Sequence, residues 1–197
     1  MEFLVGSGLA AAAGLNAWMP LFLLGLVDRF TSWVELPAAW SWLSHDITLW
    51  ITGALLIVEL IADKFPAVDS VNDWIQTAIR PASGGIVFGA GSSAETLRVD
   101  DPASFFSDGS WIPVAVGVAI ALGMHVLKAL ARPVANLATG GLAAPVISTA
   151  ENASSFALVL FAVFVPILAG LFILAIVVAA IWLMRRSRRR RYAANAA

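Results

Sequence analysis

Two short stripes of ionisable residues carry the chemistry open to this chain. Glu59 and Asp63 stand four residues apart, so on a helix they share one face. His125, Lys128 and Arg132, at i, i+3 and i+7, do the same on a second helix. Each stripe closes an apolar stretch, Ile47 to Ala62 for the acids and Ile112 to Leu127 for the bases. Ionisable groups in such segments are costly against lipid, so they face the bundle interior and pair there. The spacing therefore predicts that the acidic stripe meets the basic one at a single depth. Such a meeting has two readings. It is a static salt-bridge network that fixes helix register, or it is a site for an ion, a proton or an anionic headgroup. In the second reading Arg80, Lys128 and Arg132 attract the anion, and Glu59 or His125 exchanges a proton.

A different chemistry can be read from Asp63, Asp69 and Asp73, spaced six and four apart. They could hold Mg²⁺ against a diphosphate with Arg80 beside it, because Mg²⁺ takes one or two carboxylates plus substrate oxygens. That makes a lipid-phosphate enzyme the alternative function. Asp69 also has a plain structural role to hand, as the cap of a helix carrying Val71, Trp74, Ile75, Ala78 and Ile79 at amphipathic spacing. Asn16, with Trp18 and Pro20 just beyond it, predicts a break in the first helix where a freed carbonyl faces a cavity or a neighbouring helix. The absence of cysteine excludes disulfides, thiolate metal sites and cysteine nucleophiles. The sequence calls for no cofactor.

The elements that must position these groups are membrane helices. The chain is 60% apolar and 13% charged, against about 25% charged in an ordinary soluble domain. An uncharged run from Ser155 to Met184 is followed by six arginines within Arg185 to Arg191. About 20 helical residues cross a bilayer, and cationic flanks stay on the cytoplasmic side. Residues 1–184 carry 6 basic and 13 acidic groups, a net of −7, while the tail adds +6. The tail, residues 185–197, is a cytoplasmic anchor for anionic lipid headgroups rather than a nucleic-acid binder.

Phe3 to Val27 is expected as one retained first span. Further apolar stretches are Ile47–Ala62, Pro81–Ala94, Ile112–Leu127 and Pro133–Ala150, before the long last run. The expected fold is all-α: a polytopic helical domain over residues 1–184 with about six spans, two of them short or broken, and a weak internal duplication. Four crossings, with the Pro81 and Pro133 segments re-entrant, is the other arrangement. Both place the two termini in the cytoplasm. Six crossings leave only Arg29 and Arg98 of the basic residues outside, with most of the acid, Glu151 included. Trp33, Trp40, Trp42, Trp50 and Trp111 then mark the outer boundary, and Trp74 and Trp182 the inner one. The duplication is carried by Asp73-x6-Arg80-Pro81 and His125-x6-Arg132-Pro133, each followed by a Gly-Gly pair.

Several of these residues together resemble a known family. Gly14-Leu15-Asn16-Ala17 with Pro20-Leu21, Glu59-x3-Asp63-Lys64-x-Pro66-x2-Asp69-x3-Asp73, and Arg80-Pro81 with Gly84 are similar to a bacterial membrane-protein family, the domain of unknown function 4126. So are His125-x2-Lys128-x3-Arg132-x3-Asn136 and Ser148-x2-Glu151-Asn152. Asn152 stands where an acid is expected, which weakens a two-carboxylate role there. The resemblance covers about residues 6 to 170 and implies a small multi-span protein of the bacterial cytoplasmic membrane, with no substrate attached. The functional expectation is a small permease or channel for an ion or a lipid-like anion. Its thin bundle would gain from homo-oligomerisation. The lipid-phosphate enzyme and an accessory subunit without activity are the alternatives.

Overall fold

The computed structural model describes residues 2–64, 66–92, 109, 111–139 and 144–195. Among them every regular element is helical: α1 (Glu2–Leu15), α2 (Trp18–Phe30), a 3₁₀ turn (Ser41–Ser44), α3 (Asp46–Ala62), α4 (Pro66–Gly91), α5 (Trp111–Thr139), α6 (Ala144–Phe164) and α7 (Pro166–Asn195).

The centre of the bundle is α1. Gly6 through Leu15 are all buried, which a helix tolerates only with neighbours on every side. Those neighbours are α4, α5, α6 and α7. Small residues make the enclosure feasible. A Cβ on Gly14 would lie 2.5 Å from the Ala121 carbonyl oxygen, so glycine there lets α1 and α5 approach backbone to backbone.

The expected first span, Phe3 to Val27, is not one rod. Pro20 has no N–H, and its ring excludes the carbonyl of residue 16 from helical position. Asn16 completes the break, its Oδ1 accepting from the N–H groups of Trp18 (3.2 Å) and Met19 (2.9 Å). From there the chain turns back. The Phe3 ring packs on Phe88 with centroids 5.8 Å apart, while beyond α2 the Trp40 indole lies over Gly89 and Leu43 over Gly25. Both arms of the α1–α2 hairpin thus return to the end of the bundle where α4 finishes.

Antiparallel packing continues from this hairpin. α3 runs back along α2, with Glu59 at Ala17, Gly53 at Phe22 and Leu49 at Gly25. The Pro81 and Pro133 segments are not separate short elements, because α4 runs unbroken through Pro81 and α5 through Pro133. A proline inside a helix costs one hydrogen bond, which a well-packed helix survives. α4 begins at Pro66, proline being favoured in the first turn, so Asp69 lies inside the helix and not at its N-cap position.

The uncharged run Ser155–Met184 is likewise two helices. A Cβ on Gly8 would lie 2.8 Å from the Ala162 Cβ and 2.9 Å from that of Ala169, yet seven residues of continuous helix span about 10 Å. Phe161 and Phe172 stack edge to face at 5.5 Å, where a straight helix would hold them about 16 Å apart. The chain reverses at Val165–Pro166. Consequently α1 and α7 begin at the same end of the bundle, and α7 carries the arginine tail to the opposite end.

Two of these helices, over Trp111–Arg132 and Ala144–Phe164, are long and apolar enough to cross a membrane. Exposure is inverted relative to a soluble protein. Ile57, Val58, Ile61, Trp74, Ile75, Leu171, Leu174 and Val178 are all exposed, while Glu59, Asp63, Arg80, Lys128 and Arg132 are all buried. On α4 the stripe of Trp74, Ile75 and Ala78 faces outward, and its polar neighbours Gln76 and Arg80 face the core.

Candidate functional site

The chemistry gathers where α1 gives way to α2. A continuous helix would direct the N–H groups of Ala17, Trp18 and Met19 to carbonyls four residues back. Here Asn16 takes the second and third, and the Ala17 N–H donates to the Glu59 carboxylate, 3.2 Å from Oε2. On the other side of the break, the freed Leu15 carbonyl accepts from Lys128 Nζ at 3.1 Å. An anion therefore caps the N-terminus of α2 and a cation the C-terminus of α1, the signs that the two helix dipoles favour.

From Glu59 the network runs across α4 to α5. Arg80 Nη2 donates to Glu59 Oε1 at 3.1 Å, with the two side chains 0% and 1% exposed. Arg80 Nη1 lies 2.9 Å from His125 Nδ1, and His125 Nε2 lies 3.1 Å from Thr77 Oγ1. A guanidinium only donates, so Nδ1 accepts and the neutral ring carries its proton on Nε2, donated to Thr77. Thr77 is exposed. A polar chain Thr77–His125–Arg80–Glu59–Ala17 thus leads from the outside of α4 to the break.

A second branch starts at Lys128. Its Nζ is 3.2 Å from Glu151 Oε2 and 3.8 Å from Asp63 Oδ2. Arg132 makes a charge-assisted pair with Glu151, Nη2 to Oε2 at 2.6 Å and Nε at 3.2 Å from both oxygens. Asp63 receives Asn72 Nδ2 at 3.3 Å, and its Oδ2 lies 4.0 Å from Arg132. Among the described residues, Glu59, Asp63 and Glu151 stand against Arg80, Lys128 and Arg132. Beside it Lys64 Nζ bonds Thr149 at 2.7 Å and Ser148 at 3.4 Å.

Sequence spacing brings Glu59, Asp63, Arg80, His125, Lys128 and Arg132 together as the structure does, with Asn16 at the break. Glu151, expected on the far side with the other outer acids, instead joins Lys128 and Arg132, because α6 starts at Ala144 and carries residue 151 alongside them. The side chains of Asp69, Asp73 and Asn136 lie outside the described residues. Sequence reading missed Thr77, Ser155 and the Ala17 N–H; the freed carbonyl expected at the break is that of Leu15, which accepts from Lys128. One signal was available: Ser148, Asn152 and Ser155, at i, i+4 and i+7, form a buried polar stripe on α6, of which Asn152 and Ser155 meet α1 and the break. Ser155 Oγ donates to the Ala12 carbonyl at 2.9 Å, and Asn152 Oδ1 accepts from Asn16 Nδ2 at 3.0 Å.

The residues at the break and in the cluster lie within a matched family region. Residues 3–186 match the family described as Domain of unknown function (DUF4126). The chain belongs to the DUF4126 family. That assignment spans the helix break, the ion-pair cluster, both helices long enough to cross a membrane and the start of the arginine tail. No curated protein and no solved structure matches the chain. Chemistry at the DUF4126 site must therefore be argued from its own geometry.

Proposed function

We propose that this DUF4126 protein is a small permease of the bacterial cytoplasmic membrane, carrying an anion through the charged site at its first-helix break. The observation that carries this reading is the inverted distribution of polarity. Among the described residues, three carboxylates and three cations converge on two broken-helix termini at the core of a bundle whose outside is apolar. Soluble proteins do not arrange groups this way, and in membranes such clusters mark ion or substrate pathways. Discontinuous helices, whose termini present unpaired N–H and C=O groups, are the usual setting of transporter sites.

The membrane arrangement proposed with it has α3 to α7 as five crossings and α1–α2 as a re-entrant hairpin entering from outside. Helices of 14 and 13 residues are short of the ~20 needed to cross. Five crossings put the termini on opposite sides, which replaces the expectation of two cytoplasmic termini. The arginine tail stays inside near anionic headgroups, and Arg29 is at the outer end with Asp28, Glu35 and Asp46. A second copy of the chain would widen this thin bundle. Non-helical backbone at the hairpin tip is tolerated because protein surrounds it.

Anion flux into liposomes tests the reading. Wild-type protein should carry a monovalent anion, Arg80→Gln should abolish that flux, and Glu59→Gln should alter its dependence on pH. The same neutral pairing would also serve a static clamp. Flux indistinguishable from empty liposomes, or unchanged in both Glu59→Gln and His125→Ala, would leave only the clamp.

A further inference from the structure

We infer that the Glu59 carboxylate is the tethered occupant of a carboxylate site, and that the transported anion is a short monocarboxylate that takes its place together with one proton. This rests on the permease reading and names its substrate class. The contacts of Glu59 are those of a bound carboxylate: one oxygen accepts the Ala17 N–H at the start of α2, the other the Arg80 guanidinium. Cut from its tether, the tip of Glu59 is acetate. A second donor stands at the same break. Asn16 Oδ1 is committed to two backbone N–H groups, so its Nδ2 must face Asn152. Asn152 therefore offers Oδ1 and keeps Nδ2 over. That Nδ2 has no hydrogen-bond partner among the described residues, on a side chain 6% exposed. A buried donor left over beside a helix terminus calls for an acceptor.

Room for a short alkyl chain lies alongside. A groove of about 460 Å³, open to the outside of the bundle between α2, α3 and α4, is lined by Trp18, Leu21, Thr52, Ala82, Ser83 and Ile86, among others, though not by Glu59 or Arg80 themselves. Trp18 directly follows Ala17, and Ile79, also in the lining, directly precedes Arg80. The volume falls within the ~300–1,000 Å³ typical of small-molecule sites.

Charge accounting sets the stoichiometry. Among the described residues, the groups facing Glu59 are Asp63 on its own helix, Arg80 on α4, and His125 and Lys128 on α5, with Glu151 of α6 behind Lys128; no ionised side chain of α1 or α2 is among them. Protonation of Glu59 raises the charge of the cluster by one. The entering carboxylate restores neutrality at Arg80 and Ala17. One proton and one anion thus enter together, and the step is electroneutral.

The test needs no transport assay. Purified Glu59→Ala protein in detergent is titrated with sodium acetate, with sodium chloride at equal ionic strength beside it, and the thermal unfolding midpoint is read. Acetate should raise the midpoint of Glu59→Ala by several degrees, saturably, and leave wild type unchanged at pH 8. Should Glu59→Ala fail to fold, wild type supplies the reading: an acetate response at pH 5 that is absent at pH 8. Equal responses in both proteins, no response in either, or chloride matching acetate would overturn the inference. Acetate rescue without any anion flux in wild-type liposomes would sink the permease reading and leave the site standing. Flux in wild type with Glu59→Ala indifferent to acetate would do the reverse.

Discussion

Replacing Lys128 by methionine removes the cation at the crossing point of the cluster while nearly preserving side-chain volume. Its ammonium sits 3.1 Å from the Leu15 carbonyl, 3.2 Å from Glu151 and 3.8 Å from Asp63. Glu151 keeps its pair with Arg132 and loses least. Asp63 loses more, because the remaining cation near Oδ2, Arg132, is 4.0 Å away and already committed to Glu151. Stranding a buried charge costs about 3–5 kcal/mol, and an unsatisfied buried carbonyl about 1–3 kcal/mol. The terms overlap, so about 4–6 kcal/mol is expected rather than their full sum. At about 2–4 °C per kcal/mol for a chain of this size, the midpoint should fall by at least about 8 °C. Thermal unfolding in detergent, followed by tryptophan fluorescence, reads this directly. The double variant Lys128→Met with Asp63→Asn removes both opposed charges and should recover at least about 2 kcal/mol. Two single variants that each cost under about 1 kcal/mol, and add in the double, would refute the claim that these charges face each other in a dry interior.

Asn16→Ala deprives Trp18 and Met19 of their cap and Asn152 of its partner, so a loss of about 2 kcal/mol is expected in the same unfolding assay; an unchanged midpoint would mean that the break does not depend on Asn16. Gly14→Ala places a methyl against the Ala121 backbone and should cost about 1–3 kcal/mol, while Gly123→Ala, which meets nothing within 4 Å, should cost nothing and gain up to about 1 kcal/mol from helix propensity. On this cysteine-free chain, Phe3→Cys should react with an impermeant maleimide added to intact cells and Arg186→Cys only after permeabilisation. If both needed permeabilisation, a single first span would be the better description.

The expected ionic core was legible because helical spacing is local information. Glu59 with Asp63, and His125 with Lys128 and Arg132, had to share helix faces, and ionised groups in apolar helices have few places to go but toward one another. The break at Asn16 was legible for a similar reason: proline removes a donor, and asparagine can replace the carbonyl that donor would have met. Prolines at 81 and 133 carry the same local signal but leave their helices whole. Weighing a proline thus requires knowing what lies across from it in space.

Sequence alone determined class and chemistry: all-helical, apolar outside, an interior where acidic and basic stripes meet, and an arginine-rich end. These follow from composition and periodicity, which need no knowledge of neighbours. Tertiary structure decided direction and partnership. The reversals at Asn16–Ala17 and Val165–Pro166 fall inside uncharged runs that hydropathy reads as single rods, because an apolar residue looks the same whether its helix continues or folds back. Only contacts between distant residues, Phe3 on Phe88 and Phe161 on Phe172, distinguish the two. The same contacts bring Glu151 to Lys128 and Arg132, and set Glu59 on the amide of Ala17.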